Sequence, residues 1–462
     1  MTIDGVRRLA HFLFVAAVAI AAPSATAEQL VDPAKLDALA RPLVDGGWIY
    51  GVAVGLIDEK GTQFAGYGRV SETNDARPGP DTLFEIGSIT KVFTGLILAK
   101  MAEDHAVALD DPVQKLLGDS ITVPKGKREI TVLDLSTHSS GLPRMPAIFN
   151  PKDPGNPYAD YTVEQLAKFL SSHELRREPG ERYEYSNLAV GLLGHALAVK
   201  NDTTYEELLT KTVCAPLGLG DTVITLDDAH KSRLAEGHDY DGKPVSNWDL
   251  PTLAGAGAIR STTGDMLRFL AANLGLAETP LDAAIRASHT VHFKNADAGN
   301  DLALGWHFAR KQSILWHNGG TGGYHSYAAF SPDKKTGVVV LGSSSTGRVD
   351  ALGMKLFKLL ETGDAEPIEL PKSIALAAED LEPLVGSYQL GPHSTAKVSR
   401  EGDRLFLQLT GQPRIGLYPQ TKTRFYCRPV EASFDFEAGG DGKIERMVIH
   451  QNGQDTPAKR TM

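Results

Sequence analysis

The sequence Phe84-Glu85-Ile86-Gly87-Ser88-Ile89-Thr90-Lys91 joins a turn-like stretch to the apolar run 92–99, which is typical of a helix. On that helix Ser88 and Lys91 lie three residues apart and therefore share a face. If burial lowers the pKa of Lys91, its amine can help to remove the Ser88 proton, which activates a serine as a nucleophile. Free N–H groups at a helix start also favour the negative charge of an acyl-transfer intermediate. Taken alone, such a pair is more often a helix cap beside a solvated lysine.

A second candidate segment, Tyr185-Ser186-Asn187, follows the turn Glu178-Pro179-Gly180-Glu181 and precedes a predicted helix. A phenol is a poor base at its ordinary pKa of about 10, but a neighbouring ammonium stabilises the phenolate, so Lys91 can prepare Tyr185 for proton transfer. The Asn187 amide can accept a hydrogen bond from Lys91 and donate one to a substrate carbonyl. The structural alternative makes Asn187 a helix N-cap and Tyr185 a half-buried core residue.

The third candidate segment is His317-Asn318-Gly319-Gly320-Thr321-Gly322-Gly323, which follows a strand-like run. Its four glycines allow the backbone to lie along a substrate and to direct N–H groups at a developing oxyanion. No Lys-Ser/Thr pair follows the glycines, so a phosphate loop is disfavoured. A plain Gly-rich turn is the remaining alternative.

Together, Ser88-x-x-Lys91, Tyr185-x-Asn187 and His317-x-Gly319 resemble, in order and separation, the active-site set of the class C β-lactamases and penicillin-binding-protein-like serine hydrolases. The resemblance covers about residues 30–362. Four further segments fit the same family: Phe84-Glu85-Ile86-Gly87, Leu109-Asp110-Asp111-Pro112, Leu135-Ser136-Thr137-His138-Ser139-Ser140-Gly141-Leu142-Pro143 and Pro179-Gly180-Glu181.

This resemblance implies that Ser88 is the acylated nucleophile and that Lys91 and Tyr185 share acid and base duty. It implies that Asn187 orients Lys91 and the substrate, and that the backbone N–H groups of Ser88 and Gly320 form the oxyanion hole. The substrate-binding residues that it implies are Asn187, His317, Gly319 and Gly320. No metal and no cofactor is expected.

The third motif departs from the usual family pattern, because β-lactamases usually carry Lys-Thr-Gly or Lys-Ser-Gly where this chain has His317-Asn318-Gly319. That lysine helps to hold the carboxylate of a β-lactam or of a C-terminal D-alanine, whereas a histidine is mostly neutral at pH 7. Within the family, a histidine here resembles esterase-like, D-aminopeptidase-like and other peptidase-like members. No dedicated deacylating glutamate is evident, so water activation falls to Tyr185 or Lys91.

The organisation of the chain predicts an α/β (α+β) fold. A strand pattern occurs at 48–57, and a second run follows a turn and ends at residue 67. Further strand patterns occur at 304–309, 313–317, 324–331 and 336–342, and helical segments lie between these two groups of strands. The two ends are expected to pair into one antiparallel sheet flanked by helices, with a helical lobe in the middle and a cleft between lobe and sheet. We therefore predict a β-lactamase-like domain over 28–362.

The remaining residues predict a second unit. Residues 363–380 are rich in proline, glycine and charge and are expected to form a linker. Residues 381–462 contain seven short strand-like runs separated by turns, which predicts a small antiparallel β-barrel. This barrel resembles the lipocalin-like domains appended to some members of the family.

The whole chain has 462 residues, of which 42% are hydrophobic, and a net charge of −10. The acidic balance argues against a nucleic-acid partner, because phosphate backbones need a basic patch. Arg7-Arg8, the apolar run 9–22 and Ala25-Thr26-Ala27 predict a signal peptide over residues 1–27, with no integral membrane span after its removal. The sequence does not fix an oligomeric state.

These observations predict an exported serine hydrolase, secreted or periplasmic, that acts through an acyl-Ser88 intermediate on a small-molecule or peptide substrate. Its expected substrates are D-amino-acid or peptidoglycan-derived peptides and β-lactams. Two alternatives stay open at this point: a carboxylesterase that uses the same site, and a penicillin-binding sensor or scaffold that is acylated without turnover.

Overall fold

The structure, a computed structural model, describes residues 29–461 except 148–149, 296–299 and the single positions 393, 413, 431 and 452. The predicted signal peptide, 1–27, lies outside the described residues. In the part of the chain that the structure describes, no helix combines the length and the apolar character that crossing a bilayer requires. Cys214 and Cys427 are buried, free thiols.

An antiparallel sheet forms the centre of the first unit. Its strands are β1 Gly51–Asp58, β2 Gly61–Gly68, β5 Phe293–Asn295, β6 Asn300–Leu302, β7 His307–Ala309, β8 Ile314–Gly320, β9 His325–Ser331 and β10 Thr336–Gly342. They are arranged in the order β2-β1-β10-β9-β8-β7-β6-β5. β1 pairs with β10, with Val54 opposite Val340, which confirms the predicted joining of the two ends. A separate pair consists of β3 Leu83–Glu85 and β4 Arg260–Thr262.

Thirteen helices surround this sheet within the described residues: α1 Pro33–Asp45, α2 Thr90–Glu103, α3 Val113–Leu117, α4 Val132–Ser136, α5 Val163–Ser172, α6 Asn187–Lys200, α7 Tyr205–Leu209, α8 Ala215–Leu217, α9 Asp228–Arg233, α10 Ala254–Gly257, α11 Thr263–Asn273, α12 Asp282–Ser288 and α13 Arg348–Thr362. Shorter turns are the 3-10 helices Gly87–Ile89 and Gly118–Ser120 and the π-helix Thr210–Cys214. The predicted helical lobe is therefore present.

Both faces of the sheet are covered, because successive side chains of a strand point in opposite directions. On β10, Val339 and Leu341 enter the core shared with the helical lobe, whereas Val338 and Val340 enter a second core under α1 and α13. Burial on both faces explains why β10 reads as a continuous apolar run.

Small residues bring the helices around the candidate site into close contact. A Cβ added to Gly194 of α6 would lie 2.9 Å from the Cα of Gly255 in α10. The two backbones therefore touch, and α10 also packs against α2. As a result, the α10 carbonyl groups reach the buried interior of α2.

Three details differ from the sequence prediction. The strand predicted over 313–317 is longer than expected, because β8 continues through His317 to Gly320, which excludes the alternative of a plain turn for that stretch. The run 304–309 contributes only β7, because Gly305 has a φ of +79° and packs on the Lys91 carbonyl. One of the predicted helical segments between the two groups of strands begins at Tyr205. It is α-helical only to Leu209 and then widens into the π-helix.

The C-terminal unit is a closed antiparallel barrel, as predicted. Its strands are β11 Gly386–Gly391, β12 Ser394–Glu401, β13 Arg404–Leu409, β14 Arg414–Pro419, β15 Arg424–Tyr426, β16 Ala432–Ala438, β17 Ile444–Gln451 and β18 Gln454–Arg460. The helix α14 Ala378–Leu381 and the 3-10 turn Glu382–Leu384 precede it. The predicted domain boundaries stay a prediction.

The eighth barrel strand, β18, is absent from the sequence prediction. It is polar and contains Pro457, two features that weaken a strand pattern. Tertiary pairing compensates for this, because β18 closes the barrel between β17 and β11, with Ala458 opposite Met447 and Arg460 opposite Tyr388.

Candidate active site

Ser88 lies in the 3-10 turn that leads into α2. Gly87 has a φ of +49°, which a side chain would strain, and a Cβ added there would lie 2.7 Å from the Gly320 nitrogen. The turn therefore packs directly on β8. This contact places the half-buried Ser88 hydroxyl beside the third sequence motif.

Lys91 is fully buried one helical turn further on. Its Nζ lies 2.8 Å from Ser88 Oγ and donates to the Ala256 carbonyl at 2.6 Å. Burial, helped by the charge of Arg144, lowers the pKa of Lys91 well below its ordinary value. A neutral amine at this distance has a lone pair that can take the Ser88 proton.

Tyr185 completes a three-residue cluster, because its hydroxyl donates to Ser88 Oγ at 2.8 Å. Desolvation raises the pKa of Tyr185 above its ordinary value, and Lys91 Nζ lies 5.0 Å from the ring centre rather than on the hydroxyl. Both pKa directions favour a protonated phenol at Tyr185 and a neutral amine at Lys91, which makes Lys91 the better candidate for the base. The shared acid and base duty of the two residues stays a prediction.

His138 holds the Tyr185 segment in place. Its Nδ1 accepts the Ser186 N–H at 3.1 Å, and its carbonyl accepts the Glu184 N–H at 2.9 Å. The His138 ring also lies 4.5 Å from the Tyr185 ring. Burial lowers the pKa of His138 well below its ordinary value, so the ring is neutral and Nδ1 is free to accept.

Asn187 is the first residue of α6, but it is not the helix cap. Ser186 is the cap, because its Oγ accepts the Ala189 N–H at 2.9 Å. The predicted hydrogen bond from Lys91 to Asn187 is not formed, since Asn187 Oδ1 is buried without a partner among the described residues. This oxygen can accept a hydrogen bond from a bound molecule.

His317 is 1% exposed, so it is a buried residue of β8. Its Nδ1 lies 2.6 Å from the Asn318 carbonyl oxygen, and its ring lies 5.0 Å from the His307 ring. Burial lowers the pKa of His317 well below its ordinary value and that of His307 to about 4. The sequence predicted a histidine that is mostly neutral at pH 7, and the surroundings of His317 favour the neutral form even more strongly.

Gly319 and Gly320 bring two backbone N–H groups together. A Cβ on Gly319 would lie 2.0 Å from the Ile86 carbonyl oxygen and 2.8 Å from the Ser88 nitrogen. The Thr321 N–H donates to the Tyr324 carbonyl, so in the alternating pattern of an antiparallel pair the Gly320 N–H points away from β9, towards Ser88. The N–H groups of Ser88 and Gly320 can therefore meet one oxyanion.

Aromatic side chains that the sequence motifs did not indicate stand beside the cluster. The Trp248 ring lies 5.2 Å from the Tyr158 ring and packs on Gly322, where an added Cβ would lie 2.7 Å from Trp248 Nε1. The backbone N–H of Trp248 donates to the buried Glu85 carboxylate at 2.9 Å. These residues come from distant segments, so no local spacing marks them. Among the described residues, no group of three or more His, Cys, Asp or Glu side chains is placed to hold a metal ion.

Comparisons with known proteins show the family to which the chain belongs. A profile of the Beta-lactamase family matches residues 36–361, and a domain of unknown function, DUF3471, matches residues 370–460. D-alanyl-D-alanine-carboxypeptidase/endopeptidase AmpH of Escherichia coli is 31% identical over 66% of this chain and 82% of its own length. A beta-lactamase of Pseudomonas fluorescens is 27% identical over 67% of this chain and 93% of its own length.

A solved structure, described as a beta-lactamase/D-alanine carboxypeptidase from Yersinia pestis complexed with citrate, is also similar. It is 28% identical, with a TM-score of 0.63 over 71% of this chain and 98% of its own. The family profile alone spans well over half of the 462 residues. The chain therefore belongs to the Beta-lactamase family of serine hydrolases.

Proposed function

We propose that this protein is an exported hydrolase that cleaves small amides through an acyl-Ser88 intermediate. The substrates proposed are D-amino-acid or peptidoglycan-derived peptides, with β-lactams as further acylating agents. The observation that carries the proposal is the position of Ser88 Oγ, 2.8 Å from Lys91 Nζ and 2.8 Å from Tyr185 Oη. The name of the AmpH relative, a D-alanyl-D-alanine-carboxypeptidase/endopeptidase, supports the same substrate class.

In the acylation step, neutral Lys91 takes the Ser88 proton while Oγ forms a bond to the substrate carbonyl carbon. The oxygen of the tetrahedral intermediate accepts hydrogen bonds from the N–H groups of Ser88 and Gly320. Tyr185 passes its phenol proton to the leaving nitrogen and regains a proton from the Lys91 ammonium. The C–N bond breaks, the amine leaves, and Ser88 carries an ester.

In the deacylation step, water attacks the ester carbon and gives its proton to the neutral Lys91 amine. The bond to Ser88 Oγ then breaks, the hydroxyl regains that proton, and a carboxylic acid is released. The unpartnered Asn187 Oδ1 favours a substrate that offers an N–H group, because binding then satisfies a buried acceptor. An amide offers such a group more readily than a simple ester does.

A carboxylesterase remains the second candidate, and the buried, neutral His317 favours it. That side chain supplies no cation from β8, so one feature that would select carboxylate-bearing amides is missing from this strand. Ester and amide cleavage use the same steps, with an alcohol or an amine as the leaving group.

Intact-protein mass spectrometry tests the proposal. The protein is mixed in turn with a D-alanyl peptide, a p-nitrophenyl ester and a fluorescent penicillin, and the mass on Ser88 is followed over time. An adduct that appears and decays with the peptide supports the hydrolase, faster decay with the ester supports the esterase, and a persistent adduct supports a sensor. Absence of any adduct, or labelling of the Ser88→Ala variant, contradicts the proposal.

Export rests on the predicted signal peptide at residues 1–27. Expression of the full chain in a bacterium, followed by cell fractionation and N-terminal sequencing, tests it. A mature protein outside the cytoplasm that begins at Glu28 supports export. Retention of the intact leader in the cytoplasmic fraction contradicts it.

A further inference from the structure

Burial favours the neutral forms of the groups that surround Ser88, although several of them are basic residue types. Lys91, His138 and His317 are at most 3% exposed, and burial lowers the pKa of each. The Tyr185 hydroxyl is protonated, because desolvation raises its pKa. A charged substrate that enters this pocket therefore meets no fixed charge from the acylation machinery itself.

Arg144 is the permanently charged group beside this neutral cluster. It is exposed, and its guanidinium carbon lies 5.1 Å from the centre of the Tyr185 ring, whose hydroxyl contacts Ser88 Oγ at 2.8 Å. Its positive charge acts on Lys91, Tyr185 and His138. The guanidinium therefore lies against the ring of Tyr185 and remains open to solvent.

The backbone of Arg144 is anchored at the entrance to α6. Its carbonyl oxygen accepts the Asn187 N–H at 3.1 Å and the Leu188 N–H at 3.2 Å. These bonds fix the loop between α4 and α5 against the segment that carries Tyr185. The position of Arg144 is thus set by the same local structure that positions the proton donor.

Nearby carboxylates are already used by other cations. Glu184 pairs with Arg177, and Glu85 pairs with Arg260 at 3.2 Å. Arg144 forms no ion pair with any acidic side chain of the described residues. A solvent-exposed guanidinium with free donors next to an active serine is suited to bidentate recognition of a carboxylate.

We propose that Arg144 binds a carboxylate of the substrate, and therefore that the protein acts on amides or esters that carry a carboxylate on the acyl or the leaving side. The inference rests on the proposed function and adds a substrate class to it. It assigns to the α4–α5 loop a recognition role that the neutral His317 of β8 does not fill. The other role open to Arg144 is structural, namely to hold the Tyr185 ring through a cation–π contact.

Matched ester pairs separate these two roles. The acyl-side pair is the p-nitrophenyl monoester of glutaric acid and its neutral counterpart, p-nitrophenyl pentanoate. The leaving-side pair is meta-carboxyphenyl acetate and phenyl acetate. The quantity measured is the ratio of kcat/KM within each pair, at one fixed pH, for the wild type and for Arg144→Gln, Arg144→Lys and Arg182→Gln. Arg182 is a matched control, because it is a 70% exposed arginine of the neighbouring turn.

The ratio cancels changes that affect both members of a pair equally, such as a shift in the pKa of Lys91 or a displaced Tyr185. We expect Arg144→Gln to lower the charged-to-neutral ratio of one pair by roughly ten- to a hundred-fold, mainly through KM, as loss of a charge-assisted hydrogen bond predicts. Arg144→Lys should retain part of the preference, and Arg182→Gln should retain all of it. Raising the salt concentration should lower the wild-type ratio.

Equal losses on both members of each pair would assign Arg144 a structural role and overturn the proposal, as would an unchanged ratio in Arg144→Gln. Calorimetric binding of the same esters to Ser88→Ala gives a readout without turnover. There the charged ester should bind about ten-fold more tightly than the neutral one, and Arg144→Gln should abolish the difference. If the charged ester binds preferentially but Ser88 of the wild type is never acylated, the proposed hydrolase fails while the carboxylate site stands.

Discussion

Two regions of the molecule bury a basic side chain, one wholly and one in part, and they give it opposite partners. In the candidate site, Lys91 contacts the neutral Ser88 hydroxyl and the Ala256 carbonyl oxygen. At the contact between the barrel and residues 239–242, Arg404 pairs with the Asp241 carboxylate and stacks on the Tyr418 ring at 4.6 Å. Lys91 therefore has no anionic partner, whereas Arg404 has one.

This difference shows that a buried basic side chain can serve either as a catalytic base or as one half of an ion pair that joins two parts of the chain. Without an anion, desolvation disfavours the charged amine, so Lys91 becomes a base that is ready near neutral pH. With an anion, the Arg404 guanidinium forms an ion pair that joins two parts of the chain. The same loop continues to Trp248, whose backbone N–H donates to Glu85 and whose ring packs on Gly322 beside the candidate site.

The largest expected effect comes from replacing Lys91 with Met, an apolar side chain of similar length. We expect the rate of Ser88 acylation by a fluorophosphonate to fall by about a thousand-fold or more, because the base is lost. The melting temperature should stay the same or rise, since a buried amine without an anionic partner is costly. Full labelling by Lys91→Met, with Ser88→Ala as the unlabelled control, would show that Lys91 is not the base.

The second prediction concerns pH. Lys91 accepts a proton only when it is neutral, and its pKa is lowered, so acylation should rise about ten-fold per pH unit and level off below the ordinary lysine pKa of about 10.4. Between the folded and unfolded pKa values only the unfolded chain binds the proton, so the free energy of unfolding should also rise with pH. Labelling rates and urea titrations across pH check both slopes. A rate that levels off only above about pH 10.4 would contradict the lowered pKa.

A smaller effect is expected at His138, which we place as a positioning residue for Tyr185. His138→Leu removes the acceptor of the Ser186 N–H, so acylation should fall by about ten-fold and the free energy of unfolding by about 1–3 kcal/mol. His138→Asn offers an oxygen in the place of Nδ1 and should restore much of the rate. Equal losses of rate in both variants, at equal stability, would remove the positioning role.

The smallest effect on catalysis is expected at the barrel contact. Asp241→Asn leaves Arg404 without its anion and should lower the free energy of unfolding by about 1–2 kcal/mol, while the acylation rate changes less than about three-fold. Asp403→Asn, at an exposed neighbouring turn, is the matched control and should change neither. A large loss of acylation in Asp241→Asn would mean that the barrel acts on the site through the loop that carries Trp248.

The sequence motifs predicted those residues of the site that are defined by local spacing along the chain. Ser88 and Lys91 share a helical turn, and each of the other motifs stands next to a recognisable turn or strand. The contacts that it missed come from distant segments: the Ala256 carbonyl lies 165 residues from Lys91 along the chain, and His138 lies 48 residues from Ser186. An ordinary carbonyl group or a lone histidine has no local pattern that marks it.

The fold shows the same division. Continuous apolar runs predicted β10 and the core of α2, because each element buries most of its residues. β18 escaped prediction, because pairing with two neighbours, rather than apolar content, holds it in place. The strand pattern was read only as far as His317, because glycines weaken a strand pattern, but the Ser88 turn packs on Gly319 and Gly320, and β8 continues through them.

The sequence by itself determined which chemical groups are available, namely a hydroxyl, an amine, a phenol, an amide and a glycine-rich strand, and it determined their order along the chain. Only the tertiary structure decided their protonation states. The pKa of Lys91, His317 or Tyr185 depends on how much water the surrounding packing excludes and on which charges it brings near. That packing comes from residues spread over the whole first unit, so a neutral lysine and a protonated tyrosine at Ser88 are properties of the fold.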